Sequence, residues 1–255
     1  MLQSVSGSPD WLIGIDDTDN LDTRGTGYRA RCLVRALEAD GMAEALGVTR
    51  HQLLLDDRIP YTSHNSSACL QVRSTQAADS LYAFCRDFMV AEAARGADVG
   101  LCLATPAQAA MVVPFGHAAK HEVLDQARAQ ACAQAAGIRL GGLTGTRDGV
   151  IGALAGVGLF AEGNDGRYIW KRRLREMSDA TVSVGEILRA TAVDDVREMD
   201  GGSLADTPAT LVALGPWPRP VRVDGLSVLF VERGPAHESA AYHCIDKQRL
   251  KAFRP

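Results

Sequence analysis

The chain has 255 residues, 46% of them hydrophobic and 23% charged, which suits a globular protein with one large domain or two or three smaller ones. A formal net charge of -4 excludes the strongly basic surface of a protein that grips nucleic acid with a whole face, leaving local basic patches open. The six cysteines, Cys32, Cys69, Cys85, Cys102, Cys132 and Cys244, form no CxxC pair and sit mostly among apolar neighbours, so reduced thiols and no zinc ribbon are expected.

The first residues, MLQSVSGSPDW, lack a basic start followed by an apolar stretch, and the apolar runs further on are broken by Pro106, Pro114, Arg147 or Asp148. A cytoplasmic protein with no membrane partner is expected. Trp11 to Ile15 is a short apolar run ending in carboxylates, the pattern of a central strand whose C-terminal end opens onto a site. Tyr28 to Ala39 reads as a helix stopped by Gly41. A strand is expected over His51 to Leu55, then the loop IPYTSHNSS, then a strand over Ala68 to Arg73.

Helices are expected over Ala77 to Ala94, Pro106 to Val113 and the alanine-rich His117 to Ala136, with strands at Val99 to Leu103 and Ile138 to Leu143. A glycine and threonine loop then leads into the apolar segment GVIGALAGVG. Beyond Arg175, short strands at Leu211 to Leu214, Val221 to Val223 and Ser227 to Glu232, separated by Pro and Gly turns, predict a small β-rich unit.

Asp16, Asp17 and Asp19 place three carboxylates within four residues at the mouth of the first strand, where they repel one another unless a cation sits among them. A hard divalent ion is the natural partner, because magnesium takes oxygen ligands and joins one or two carboxylates to substrate phosphates. The competing reading is an Asp-rich turn that caps the helix that follows.

Thr23, Arg24, Gly25, Thr26 and Gly27 directly precede that helix and offer amides, hydroxyls and a guanidinium to a phosphate, as does Thr18 within the acidic run. The loop TGTRDGVIGALAG repeats the logic: Thr146 and Arg147 are phosphate partners, and Gly149 and Gly152 permit close backbone approach. It lacks the lysine and hydroxyl of a Walker loop, which excludes an ordinary P-loop NTPase. His64 and Asn65, in the polar loop after Ile59 and Pro60, are further candidates for phosphate or substrate contact, with a plain surface turn as the alternative.

His117 and His121, four apart, read as a solvated helix face rather than a metal pair. The segment YIWKRRLR, Tyr168 to Arg175, is the one basic run with interleaved aromatics. It suits either an RNA backbone with a stacked base or an amphipathic surface element whose aromatics pack inward.

Several segments together resemble the archaeal agmatidine (agmatinylcytidine) synthetase family, which modifies the anticodon cytidine of an isoleucine tRNA. The family's GIDDTD run stands here as Gly14 to Asp19, its threonine before a tyrosine as Thr26 to Tyr28, its IPY segment as Ile59 to Tyr61, and its GLIGALA segment as Gly149 to Ala155. The resemblance covers roughly residues 11 to 170. It implies a kinase-like domain that binds ATP with magnesium on Asp16, Asp17 and Asp19. It also implies a phosphorylated threonine, for which Thr26 stands nearest although the loop here reads RGTGY and is longer. An associated ferredoxin-like domain would fall near residues 68 to 136; the family's oligonucleotide-binding fold and zinc ribbon have no visible counterpart.

The expected fold is therefore α+β (mixed α/β): a kinase-like nucleotide-binding domain from residues 1–67 and 137–180, a ferredoxin-like subdomain over 68–136, and a β-rich unit over 181–255. The expected function is magnesium-dependent transfer from ATP to an unnamed acceptor, with Asp16, Asp17 and Thr26 catalytic and Arg24, Arg147 and loop amides neutralising phosphate charge. Two alternatives stand beside it: a tRNA-modifying synthetase acting on an anticodon cytidine, and a nucleotide-binding sensor or partner subunit without turnover.

Overall fold

The computed structural model describes residues 8–60, 64–235, 239–246 and 249–250. Strands and helices are mixed throughout, giving the expected α/β class. The described residues divide into two compact units, one over Pro9–Glu162 and one that begins at Gly163.

The first unit is built on a five-stranded antiparallel sheet in the order β5-β4-β1-β3-β2. Its strands are β1 (Trp11–Asp16), β2 (Glu44–Gln52), β3 (Ser66–Arg73), β4 (Gly100–Ala104) and β5 (Arg139–Gly142). As expected, β1 is central and buried, and it ends in the acidic run. Residues 68–136 supply most of β3 and all of β4, both hydrogen-bonded to β1.

Alternation along β1 sends Leu12, Gly14 and Asp16 to one face and Ile13 and Ile15 to the other. The first face carries α6 (Gly149–Glu162), whose residues are buried almost all round, as a helix apolar on every side must be. Gly14 makes the contact possible, since a Cβ there would overlap the Ala153 carbonyl oxygen. The helices α1 (Thr26–Ala39) and α2 (Ala78–Glu92) agree with their expected spans to within two residues.

Four expectations are corrected. The strand expected over His51 to Leu55 is the end of a longer one, β2, in which Gly47 falls at a register shift against β3 instead of ending the strand. Residues 53–55 leave the sheet, and Leu55 is exposed. The helix expected over Pro106 to Val113 stops at Met111 as α3 (Pro106–Met111), because Pro114 falls in the first turn of a separate α4 (Val113–Ala118). The alanine-rich stretch His117 to Ala136 is likewise not continuous: α5 (Gln126–Ala135) starts afresh where the Asp125 carboxylate accepts the Arg128 N–H at 2.7 Å. His117 lies in the last turn of α4 and His121 beyond its end, so they share no helix face.

The second unit is β-rich, with strands β6 (Arg167–Lys171), β7 (Thr181–Ser183), β8 (Asp195–Glu198), β9 (Leu211–Ala213), β10 (Val221–Val223), β11 (Leu226–Arg233) and β12 (Tyr242–Cys244). It also holds α7 (Val184–Ala190), capped by Ser183, whose hydroxyl accepts the Glu186 N–H at 3.2 Å. Its core gathers Val184, Ile187, Val196, Val212 and Val231. Among the described residues no helix is long and apolar enough to cross a membrane.

Candidate functional site

β1 ends because Asp17 turns into the left-handed region at φ 51°, a conformation that Asp tolerates better than most residues. The chain then folds over itself. Thr18 is buried, and its hydroxyl donates to the Thr26 hydroxyl at 3.3 Å. Asp19 reaches the start of α1, where one carboxylate oxygen accepts both the Thr26 N–H at 3.0 Å and the Thr26 hydroxyl at 3.1 Å. Gly25, the residue at the cap position, has no side chain to do this. The capping reading therefore holds for Asp19.

It does not explain Asp16 and Asp17. Asp16 lies on the α6 face of the sheet, directly under Gly152, where a Cβ would overlap its carboxylate. A Cβ on Gly149 would likewise meet the Asp98 and Asp16 carbonyls. The backbone of α6 thus passes against the acidic end of β1 at the two glycines singled out in the sequence.

The preceding loop is strapped in place by its polar groups. The Thr144 hydroxyl donates to the Ala97 carbonyl at 2.6 Å, the Thr146 N–H donates to the Asp98 carboxylate, and the Thr146 hydroxyl donates to Asp148 at 2.8 Å. This brings two further carboxylates, Asp98 and Asp148, within electrostatic reach of Asp17.

Burial and crowding shift both central acids. Asp16 retains some exposed surface, yet desolvation of its carboxylate, reinforced by the charges of Asp17 and Asp19, pushes its pKa up to about 7. The Asp17 N–H and Arg50 pull the other way and lose. Asp17 is raised to about 6, by desolvation first and then by the charges of Asp98, Asp19 and Asp148.

These groups open onto a cavity of about 590 Å³. It is lined by the carboxylates of Asp16, Asp17, Asp19, Glu122, Asp125 and Asp148 together with the apolar side chains of Leu53, Ile59, Val123, Leu124 and Ile151. The volume is ordinary for a small-molecule site, and a lining that mixes carboxylates with apolar groups suits a ligand with a charged and an apolar part.

No protein-family model matches the chain, and no curated protein does. Solved structures do. Apo TiaS, an agmatidine synthetase for an isoleucine tRNA, matches at 23% identity with a TM-score of 0.51, covering 58% of this chain and 35% of that one. The TiaS complex with that tRNA and ATP gives 23% identity and 0.52, covering 58% and 36%; the TiaS complex with the tRNA, AMPCPP and agmatine gives 23% and 0.51 over the same shares. The fold is that of part of TiaS. The chain spans about a third of the length of these TiaS chains, and the resemblance carried by the GIDDTD and GVIGALA segments is met in the fold.

Within this TiaS-like fold, Asp16, Asp17, Asp19, Thr26, His64, Asn65, Gly149 and Gly152 all line the cavity. Asn65 is also a structural residue, its side chain donating to the Leu54 carbonyl at 2.7 Å. Thr18 is buried behind the wall. Arg24, Gly25, Gly27, Thr146 and Arg147 do not line the cavity. The Arg24 guanidinium lies 4.7 Å over the Tyr28 ring, and Arg147 is exposed in a turn at φ 72°. Tyr61 lies outside the described residues.

Sequence reasoning missed Asp98, Asp148, Glu122 and Arg58. Arg58 reaches the cavity while paired through two hydrogen bonds, at 2.8 and 2.7 Å, with Asp56, whose carboxyl it holds well below the usual range. Asp148 had a visible signal, an acid directly before the glycine that opens α6; the others come from distant parts of the chain. Among the described residues, no group of three or more His, Cys, Asp and Glu side chains stands ready to enclose a metal. That does not oppose magnesium, which rarely takes an all-protein cage and uses one or two carboxylates with substrate phosphates. Asp16 and Asp17, hard oxygen donors held against their own repulsion, fit that role.

Proposed function

We propose that the chain is an ATP-dependent enzyme that modifies tRNA, with the nucleotide bound through magnesium in the cavity at the end of β1. The observation that carries this reading is the pair Asp16 and Asp17, whose crowded carboxylates line a ligand-sized cavity in a fold shared with ATP-bound and tRNA-bound TiaS. Asp16 and Asp17 would hold magnesium, which when bound neutralises phosphate oxygens and favours transfer of a phosphoryl group.

The chain's own residues do the rest. Gly149 and Gly152 let α6 approach without displacing the carboxylates. Leu53, Ile59 and Ile151 give part of the cavity lining an apolar character. Thr26 lines the cavity with its hydroxyl 3.1 Å from an Asp19 oxygen that can take its proton. If it is the phosphoryl acceptor, its Oγ1–P bond forms as the bond from phosphorus to the bridging oxygen of the departing nucleotide breaks.

A second reading, phosphoryl transfer to a small acceptor, is favoured by one observation: the carboxylates of Glu122, Asp125 and Asp148 also line the cavity and repel a polyanion. Incubation with magnesium and γ-labelled ATP, with and without bulk tRNA, separates the two. The tRNA reading expects phosphate or pyrophosphate release that rises with tRNA, a mass increment on a digested nucleoside, and loss of both in Asp17→Asn. Turnover indifferent to tRNA, with no modified nucleoside, would favour the small acceptor instead.

A further inference from the structure

The chain as a whole is acidic, yet two segments of its second unit carry no carboxylate. Residues 166–175 hold Arg167, Lys171, Arg172, Arg173 and Arg175, and residues 207–223 hold Arg219 and Arg222. The fold joins them: Arg167 pairs with Val221 between β6 and β10, and the Tyr168 N–H donates to the Pro220 carbonyl at 2.9 Å. The result gathers arginines on one part of this unit, bounded by Asp165, Glu176 and Asp224 at the ends of the two segments.

Its aromatics divide in two. Tyr168 is buried, with the Lys171 ammonium 4.4 Å from its ring centre, so this pair belongs to the support of this region. Trp217 is different, keeping 40% of its surface exposed. The Arg175 guanidinium stacks 3.4 Å from its ring centre, and that of Arg219 lies at 4.9 Å. The ring sits in the sequence GPWPRP, where Pro216, Pro218 and Pro220 alternate with Trp217 and Arg219. Prolines fix φ along this loop, so the ring and the guanidinium are presented with little backbone freedom left to lose on binding.

An exposed tryptophan on a rigid loop, with guanidiniums stacked on it, makes a column of flat planes to which a base can add, and offers N–H donors to phosphates. An acidic peptide would use the guanidiniums but leave the ring idle. We propose that the Arg175–Trp217–Arg219 stack, with Arg172 and Arg173 in the adjoining turn, is a contact surface for single-stranded RNA: a base adds to the stack built on Trp217 and the arginines take phosphates. The inference rests on the tRNA-modifying reading for the identity of the nucleic acid.

Binding of a fluorescent single-stranded 15-mer RNA to the whole chain, measured by anisotropy without nucleotide or magnesium, tests it. Trp217→Ala should weaken binding about tenfold, the loss of one stacked base, while Trp217→Phe stays within about threefold. The double variant Arg175→Ala/Arg219→Ala should flatten the slope of log affinity against log salt by about 1.4. Magnesium-ATP binding should be unchanged in all three, which also shows that they fold. Variants that bind RNA like the wild type, a wild type that binds no RNA, or polyglutamate bound as tightly with the same dependence on Trp217 would each overturn the proposal. RNA binding that depends on Trp217 in a protein that binds no ATP would refute the ATP-dependent reading and leave the RNA surface standing. ATP turnover with RNA binding indifferent to Trp217 would do the reverse.

Discussion

Replacing Asp16 by Asn removes a desolvated, crowded charge while keeping its shape. The folded pKa, about 7, lies above the ordinary value of 3.8, so the folded state binds this proton more tightly than the unfolded chain. The favourable contribution is complete below 3.8 and is lost as pH rises through about 7; above that the ionised carboxylate weighs against folding. Three units at 1.36 kcal/mol each set an upper bound near 4 kcal/mol, and residual exposure reduces this to on the order of 2 kcal/mol. Metal-free Asp16→Asn should therefore melt about 4–8 °C higher than the wild type at pH 8, and the advantage should shrink toward pH 5. Magnesium should raise the melting point of the wild type and leave the variant unmoved. Thermal melts by circular dichroism in chelator, from pH 5 to 8, measure this. A variant less stable than the wild type at pH 8, or a difference that ignores pH, would refute the reasoning.

Gly152→Ala places a methyl group on the Asp16 carboxylate, so it should cost about 1–3 kcal/mol of stability and weaken magnesium-ATP binding at least tenfold by calorimetry. Gly14→Ala drives a methyl into the Ala153 carbonyl, at residues that do not line the cavity; urea titration should show a loss of at least about 2 kcal/mol, nucleotide affinity of the folded fraction holding within a few-fold. Asp19→Ala removes the acceptor for the Thr26 N–H at the start of α1, so it should lose about 1 kcal/mol in the same titration with or without magnesium.

The acidic run was legible because its carboxylates are contiguous and follow a fully apolar strand, a pattern that survives any detail of the fold. The helix α6 was equally legible, since an apolar segment studded with glycine has to be buried and tightly packed. β2 was harder, because Gly47 looks like a stop when read locally and only its partner β3 shows that the strand runs past it. The break between α3 and α4 is decided by Pro114, and the one between α4 and α5 was masked by alanine propensity and is decided by Asp125 acting as a cap. In the second unit, β7, β9, β10 and β12 are three residues long, too short to display a period. Asp98 and Glu122 join the site only through the sheet and the loop after α4, so no local pattern marks them. Arg24 and Arg147 illustrate the converse, since adjacency to a phosphate-like loop in sequence did not bring either to the cavity.

The most direct test of the central claim is a calorimetric titration of ATP into the wild-type protein and Asp17→Asn, each with magnesium and with chelator. Saturable binding to the wild type is expected only when magnesium is present, and none to Asp17→Asn. ATP binding that persists in chelator or in Asp17→Asn, or no binding to the wild type with magnesium, would contradict the placement of a magnesium-nucleotide site at the end of β1.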